Sequence, residues 1–199
     1  MAYKKPIEVI EIQKEDCTYT ASYCNENVWW LCDSVKKKFP EEIQYCYCVY
    51  ISNEQRATPI WKQKASHQQD GQVVWDYHVI FLYQTSESGT LVYDLDTTLT
   101  FPSDLKQYYE EAIKDNKSLK PEYHRMFRVI PAAEYLKSFA SDRLHMLTPD
   151  GRWKAPPPPY PPIKTEECSD NLQEFISMEG NGHGVVLGLS EFLNRFLNS

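Results

Sequence analysis

The chain has 199 residues, 42% hydrophobic and 14% aromatic, enough for a single globular domain with a substantial core. Its 21 basic and 28 acidic side chains give a net charge of −7 with no long basic run, which argues against a nucleic-acid surface or a patch for anionic lipid. No apolar stretch is long enough to span a membrane, and Met1 to Glu8 carries charges where a signal peptide would need an apolar core. The expectation is an intracellular protein whose six cysteines are reduced thiols.

In chain order, residues 1–16 read as a charged, mobile lead-in. From about Asn25 to Phe39 the apolar positions Val28, Leu31, Cys32, Val35 and Phe39 recur at helical spacing, with Ser22 as candidate N-cap and Pro40 as the stop. Ile43 to Ile51 is apolar or aromatic on both alternating sets, the pattern of a strand covered on both faces. Pro59 to Gln63 reads as a short strand and His67 to Gly71 as a loop. The long β-branched and aromatic run Val73 to Tyr83, the turn Thr85 to Gly89 and the run Leu91 to Asp96 together predict a hairpin.

Further on, Ser103 is the expected cap of a helix bearing Leu105, Tyr108, Tyr109, Ala112 and Ile113. Met126 to Ile130 is an expected strand, and Pro131 fits the first turn of a helix bearing Ala133, Tyr135, Leu136 and Phe139. Residues 148–165 form a Pro-rich surface loop, with Pro156 to Pro162 extended as polyproline II. It is either a rigid strap packed across the domain or, through Pro157 to Tyr160, a Pro-Pro-x-Tyr ligand for a proline-recognising module. A short helix carries Leu172, Phe175 and Ile176, Gly182 and Gly184 mark a turn, and a terminal helix starts near Ser190 with Phe192, Leu193, Phe196 and Leu197. The fold class that emerges is a single α/β (α+β) domain, a mainly antiparallel sheet with flanking helices.

A cysteine, a histidine and a carboxylate carry candidate chemistry. Cys24 falls at the start of the first helix, where free N–H groups and the helix dipole favour the thiolate. His78 lies on a strand, and Asp94 and Asp96 share its face if the hairpin loop has an odd number of residues. Which aspartate meets His78 depends on register: a loop at 85–87 opposes Asp94 to His78, and a loop at 85–89 opposes Asp96. The order cysteine, histidine, carboxylate fits a papain-like arrangement suited to acyl chemistry. Cys46-Tyr47-Cys48 lacks zinc-ligand spacing and a paired downstream cluster, so no metal is expected.

Tyr-Cys-Asn-Glu-Asn-Val-Trp at 23–29, Ile-Trp-Lys-Gln at 60–63, Val-Trp-Asp-Tyr-His-Val at 74–79, Tyr-Asp-Leu-Asp-Thr at 93–97, Phe-Ala-Ser-Asp-Arg at 139–143 and Pro-Pro-Pro-Pro-Tyr-Pro at 156–161 resemble the eukaryotic protein N-terminal glutamine amidohydrolase family over nearly the whole chain. The resemblance implies a monomeric papain- or transglutaminase-like cysteine hydrolase without metal or organic cofactor, acting on proteins and peptides with a free N-terminal Gln. It assigns Cys24 as nucleophile, His78 as general base and acid, and Asp94 as the residue orienting His78. It also implies a place in the N-degron pathway, in cytosol and nucleus. A buried substrate ammonium would need an anionic partner, and Glu26 and Asp76 are the candidates. A cysteine protease, a transglutaminase-like acyltransferase and a non-catalytic Pro-Pro-x-Tyr adaptor remain alternatives.

Overall fold

The computed structural model of the chain describes residues 10–85 and 89–197. Its helices are α1 (Cys24–Lys38), α2 (Leu105–Tyr108), α3 (Ala132–Ser138), α4 (Leu172–Ile176) and α5 (Leu189–Leu197). Its strands are β1 (Cys46–Ser52), β2 (Thr58–Ile60), β3 (Val73–Trp75), β4 (His78–Gln84), β5 (Thr90–Tyr93), β6 (Ser103–Asp104), β7 (Met126–Pro131) and β8 (Val185–Gly188). Six strands form one sheet in the order β6-β5-β4-β1-β7-β8, antiparallel throughout, and β2 pairs with β3 beside it. Among the described residues no helix is long and apolar enough to cross a membrane.

The two-sided apolar pattern of the central strands explains the layering. Cys46, Cys48 and Tyr50 of β1 with Phe81 and Tyr83 of β4 pack under α1, α3 and α4, meeting Val28, Leu31, Val35, Tyr135 and Phe175. The alternate residues Val49, Ile51, Ile80 and Leu82 meet Leu105 and Tyr108 of α2 and Phe192 and Phe196 of α5 on the other face. A sheet sandwiched between helices has no wet face, which is why neither set of alternating positions is polar.

Several elements depart from the sequence expectations. Residues 1–9 of the lead-in lie outside the described residues. The part from residue 10 is packed rather than loose: Ile10 and Ile12 are in the core, and Ile10 O accepts from Tyr93 Oη at 3.0 Å. Ser22 does not cap α1; its φ is +70°, and Tyr23 occupies the N-cap position without a side-chain cap. The run Val73 to Tyr83 is two strands, because Asp76 O turns aside to accept from Ser52 Oγ at 2.7 Å. Asp104, not Ser103, caps α2, accepting from the Lys106 and Gln107 N–H groups, while the Ser103 hydroxyl donates back to Thr100 O at 2.6 Å. Beyond Gly184, where a Cβ would collide with Val129 O, the turn leads into β8, which the sequence reading missed. Residues 86–88 of the expected turn lie outside the described residues.

Candidate active site

The site forms where the N-terminus of α1 meets the start of β4 and the end of β5. Asn27, in the first turn of α1, accepts from Thr20 N at 2.8 Å and donates to Thr20 O at 2.9 Å, tying the incoming segment to the helix and fixing where Cys24 starts it. His78 is the first residue of β4 and is buried. Gln84 pairs with Thr90, so the β4–β5 register is the one that, prolonged, would oppose Asp96 to His78. The ladder stops at Phe81 and Tyr93, however, and the chain turns at Asp94, with Thr97 N–H reaching Asp94 O at 3.4 Å. The turn delivers Asp94, not Asp96, to the imidazole: His78 Nε2 and Asp94 Oδ1 are 2.9 Å apart, both residues buried.

Asp94 is fully engaged. Oδ1 also accepts from Asp96 N–H at 2.9 Å, and Oδ2 accepts from Gln63 Nε2 at 3.1 Å and Tyr108 Oη at 2.9 Å. Gln63 is itself oriented, since its Oε1 accepts from Trp75 Nε1 at 3.2 Å, and the Trp75 ring stacks on His78 with centroids 5.6 Å apart and planes 17° from parallel. With Nε2 on Asp94, the other imidazole nitrogen is left for the Cys24 thiol, which lines the same cavity and lies close enough for the two groups to shift one another's protonation.

The electrostatics follow from burial opposed by pairing. Burial raises the Asp94 carboxyl, but the His78 charge and the donors around it more than reverse this, leaving it at about 2. Burial lowers His78, and Asp94, with help from Cys24, overrides it and holds the imidazole well above its usual 6.5. Burial pushes the Cys24 thiol up, while the neighbouring His78 pulls in the thiolate direction. His78 is thus a strong proton acceptor held against a thiol that keeps partial exposure.

Cys24 and His78 line a cavity of about 220 Å³ together with Trp75, Asp76, Asp96 and His145. Of the two carboxylates expected to hold an ammonium, only Asp76 lies on this cavity, at its exposed rim, with Oδ1 accepting from Tyr77 N–H at 2.9 Å. Glu26 is a correction. It is fully buried, and its two oxygens take Arg143 Nε and Nη2, each at 2.7 Å. Two residues on from Cys24 is about 200° around a helix, so Glu26 points away from the thiol. Its Arg143 partner also donates to Tyr160 O at 2.9 Å and sits 5.1 Å from the Tyr160 ring centroid, which anchors the Pro-rich loop on α1. Tyr160 further packs edge-on against Trp30, so the Pro-Pro-x-Tyr stretch is engaged within the fold.

His78, Asp94 and Asp96 offer ligand atoms within 4.8 Å of one another. The cluster suits a metal poorly, because every Asp94 lone-pair direction is already taken by a donor.

The N-terminal glutamine amidase family model matches residues 19–196 of the chain. The proteins named protein N-terminal glutamine amidohydrolase from Drosophila ananassae and Drosophila pseudoobscura pseudoobscura are each 50% identical over 185 residues, covering 92% of this chain and 90% of theirs. The chain belongs to the N-terminal glutamine amidase family. Within this amidase, the residues around the relay that sequence reasoning missed are Gln63, Trp75, Tyr108, Tyr19 and His145. Gln63 and Trp75 stood inside quoted motifs, yet only folding brings them to Asp94 and His78. His145 lines the cavity with its Nε2 buried and without a partner among the described residues, and nothing in its local sequence pattern announced it.

Proposed function

We propose that the protein hydrolyses the side-chain amide of N-terminal glutamine in proteins and peptides, giving N-terminal glutamate and ammonia, through a Cys24–His78–Asp94 thioester mechanism. The observation that carries this reading is the Cys24 thiol and the His78 imidazole, itself held by Asp94, side by side on one cavity wall in a chain of this family. In the reaction, His78 holds the proton taken from Cys24, and the thiolate attacks the side-chain carboxamide carbon. The oxyanion is received by N–H groups at the start of α1, beginning with that of Cys24, which have no partners within the helix. His78 then gives its proton to the departing nitrogen, ammonia leaves, and a thioester remains. Water, losing a proton to His78, attacks the thioester, and collapse restores Cys24 and releases the glutamate side chain.

Asp94 keeps Nε2 as the protonated nitrogen, so the lone pair or proton that reacts is presented toward sulfur. The cavity volume supports a single terminal residue as the guest, since it falls below the ~300–1,000 Å³ common for larger ligands. A monomer working in cytosol and nucleus, and delivery of the new glutamate to an N-degron pathway, complete the reading. Ammonia release from a Gln-initiated peptide, measured for wild type and Cys24→Ala, tests it: activity confined to wild type is expected, and an active Cys24→Ala overturns the mechanism.

A further inference from the structure

The cavity wall carries a charge that the relay does not use. Asp96 is 8% exposed and faces the cavity beside Cys24 and His78. One of its oxygens accepts from Tyr19 Oη at 2.6 Å, and the other receives no hydrogen bond among the described residues. Two lysines lie close enough to influence it, but both are occupied: Lys64 Nζ donates to Leu95 O at 3.1 Å and Lys14 Nζ to Thr97 O at 3.2 Å. Among the described residues neither forms an ion pair with Asp96. The His78 imidazole and Lys64 offset part of the cost of withdrawing this carboxylate from water, but among the described residues neither is ion-paired with it, so a cation that enters the cavity and pairs with Asp96 removes more of that cost.

We propose that Asp96, oriented by Tyr19, is the specificity residue that receives the α-ammonium group of the substrate's N-terminal glutamine. The inference rests on the activity proposed above. In glutamine the α-nitrogen and the reacting carboxamide carbon are separated by four bonds, at most about 5 Å. An Asp96 oxygen lies within 4.8 Å of a His78 ring nitrogen. An ammonium bound to Asp96 therefore leaves the carboxamide beside the thiol that His78 serves. An internal glutamine offers a neutral peptide nitrogen in place of the cation and would have to bring its preceding residue into a cavity of about 220 Å³.

The other two carboxylates fit the role less well. Glu26 is neutralised by Arg143, and Asp76 is exposed at the rim, where water screens its attraction for a cation. Burial, with the nearby Asp94 charge, raises the Asp96 carboxyl above its ordinary value, as expected for an anion waiting for a counter-ion.

The test compares kcat/KM for two peptides of one sequence, one starting with glutamine and one with glutaramic acid, which is glutamine without its α-amino group. Wild type is expected to prefer the amine by on the order of 100-fold. Asp96→Asn should lose most of that preference, chiefly through a higher KM for the Gln peptide, so that kcat/KM falls by a far larger factor for the Gln peptide than for the glutaramic one. Tyr19→Phe should lose part of the preference in the same direction, and it decides the matter if Asp96→Asn does not fold. Equal losses on both peptides would make Asp96 a support for His78, and an unchanged preference would leave the amine to another group such as Asp76. Either result overturns the inference while leaving the activity standing. No ammonia from wild type with the Gln peptide would instead remove the activity itself.

Discussion

Replacing Asp94 by asparagine keeps the shape of the side chain and reverses its hydrogen-bonding logic. Gln63 Nε2 and Tyr108 Oη both donate to Asp94 Oδ2, and Gln63 cannot turn over because its Oε1 is held by Trp75 Nε1. The asparagine oxygen must therefore stay on that side, which turns the NH₂ toward His78 Nε2 and the Asp96 N–H. His78 Nε2 becomes an acceptor, its proton moves to the nitrogen facing Cys24, and the lone pair that should take the thiol proton is gone. The lost charge alone has a measurable scale. The Asp94 carboxyl stands at about 2 against an ordinary 3.8, which corresponds to roughly 2–3 kcal/mol of preference for the ionised, paired form. That much stabilisation of the imidazolium is worth roughly 50- to 100-fold in rate, and the wrong tautomer extends the loss toward about 10⁴-fold, as in other triads. The assay is initial-rate ammonia release from a Gln-initiated peptide, with circular dichroism to confirm the fold. A kcat at least about 10³-fold down with KM little changed is expected. An Asp94→Asn enzyme within about tenfold of wild type, beside an inert Asp96→Asn, would refute the argument.

Cys24→Ala and Cys24→Ser should both be folded and inactive. Iodoacetamide should inactivate by labelling Cys24 before Cys32, Cys46 or Cys48, whose thiols are buried and pushed up by that burial; peptide mapping with loss of activity but unmodified Cys24 would contradict this. Arg143→Met leaves the Glu26 carboxylate buried without a partner and frees the Pro-rich loop, so thermal unfolding should show a loss of about 3–5 kcal/mol, much of it recovered in Glu26→Gln/Arg143→Met. Burial lowers His78 but Asp94 raises it further. Its contribution to stability is therefore complete below about pH 6.5 and is lost as pH rises through the higher folded value, whereas that of Asp94 is complete above about pH 4 and lost as pH falls toward 2. Urea unfolding should accordingly show wild type losing more stability than His78→Gln between about pH 6 and about pH 9, and equal losses would count against the pair.

The regular elements were legible where burial imposes a clean period. The face of α1, the two-sided strand β1 and the terminal apolar helix α5 could be read because a helix repeats every 3.6 residues and a strand every two. The break between β3 and β4 was not, since Asp76 and Tyr77 sit in an otherwise apolar run and the turn is made by a distant hydroxyl, that of Ser52. Ser103 and Asp104 are both good caps by residue type, and in the fold the Ser103 hydroxyl is turned back to Thr100 O, which leaves the cap to Asp104. At the site, Cys24, His78 and an aspartate at 94 or 96 stood out as chemistry in a recognisable order, and the family resemblance chose Asp94. The support given by Gln63, Tyr108 and Trp75 is purely tertiary and left no local trace. Glu26 was misjudged because nearness in sequence was taken for nearness in space, whereas the helix turns it toward Arg143.

The central claim is that one thiol deamidates glutamine only at a chain terminus. A peptide carrying both an N-terminal and an internal glutamine, incubated with the protein and then sequenced by tandem mass spectrometry alongside an ammonia assay, tests it directly. The account predicts conversion of the N-terminal residue alone to glutamate, with one ammonia per peptide and an intact backbone. Conversion of the internal glutamine, cleavage of a peptide bond, or incorporation of an added amine in place of water would contradict it.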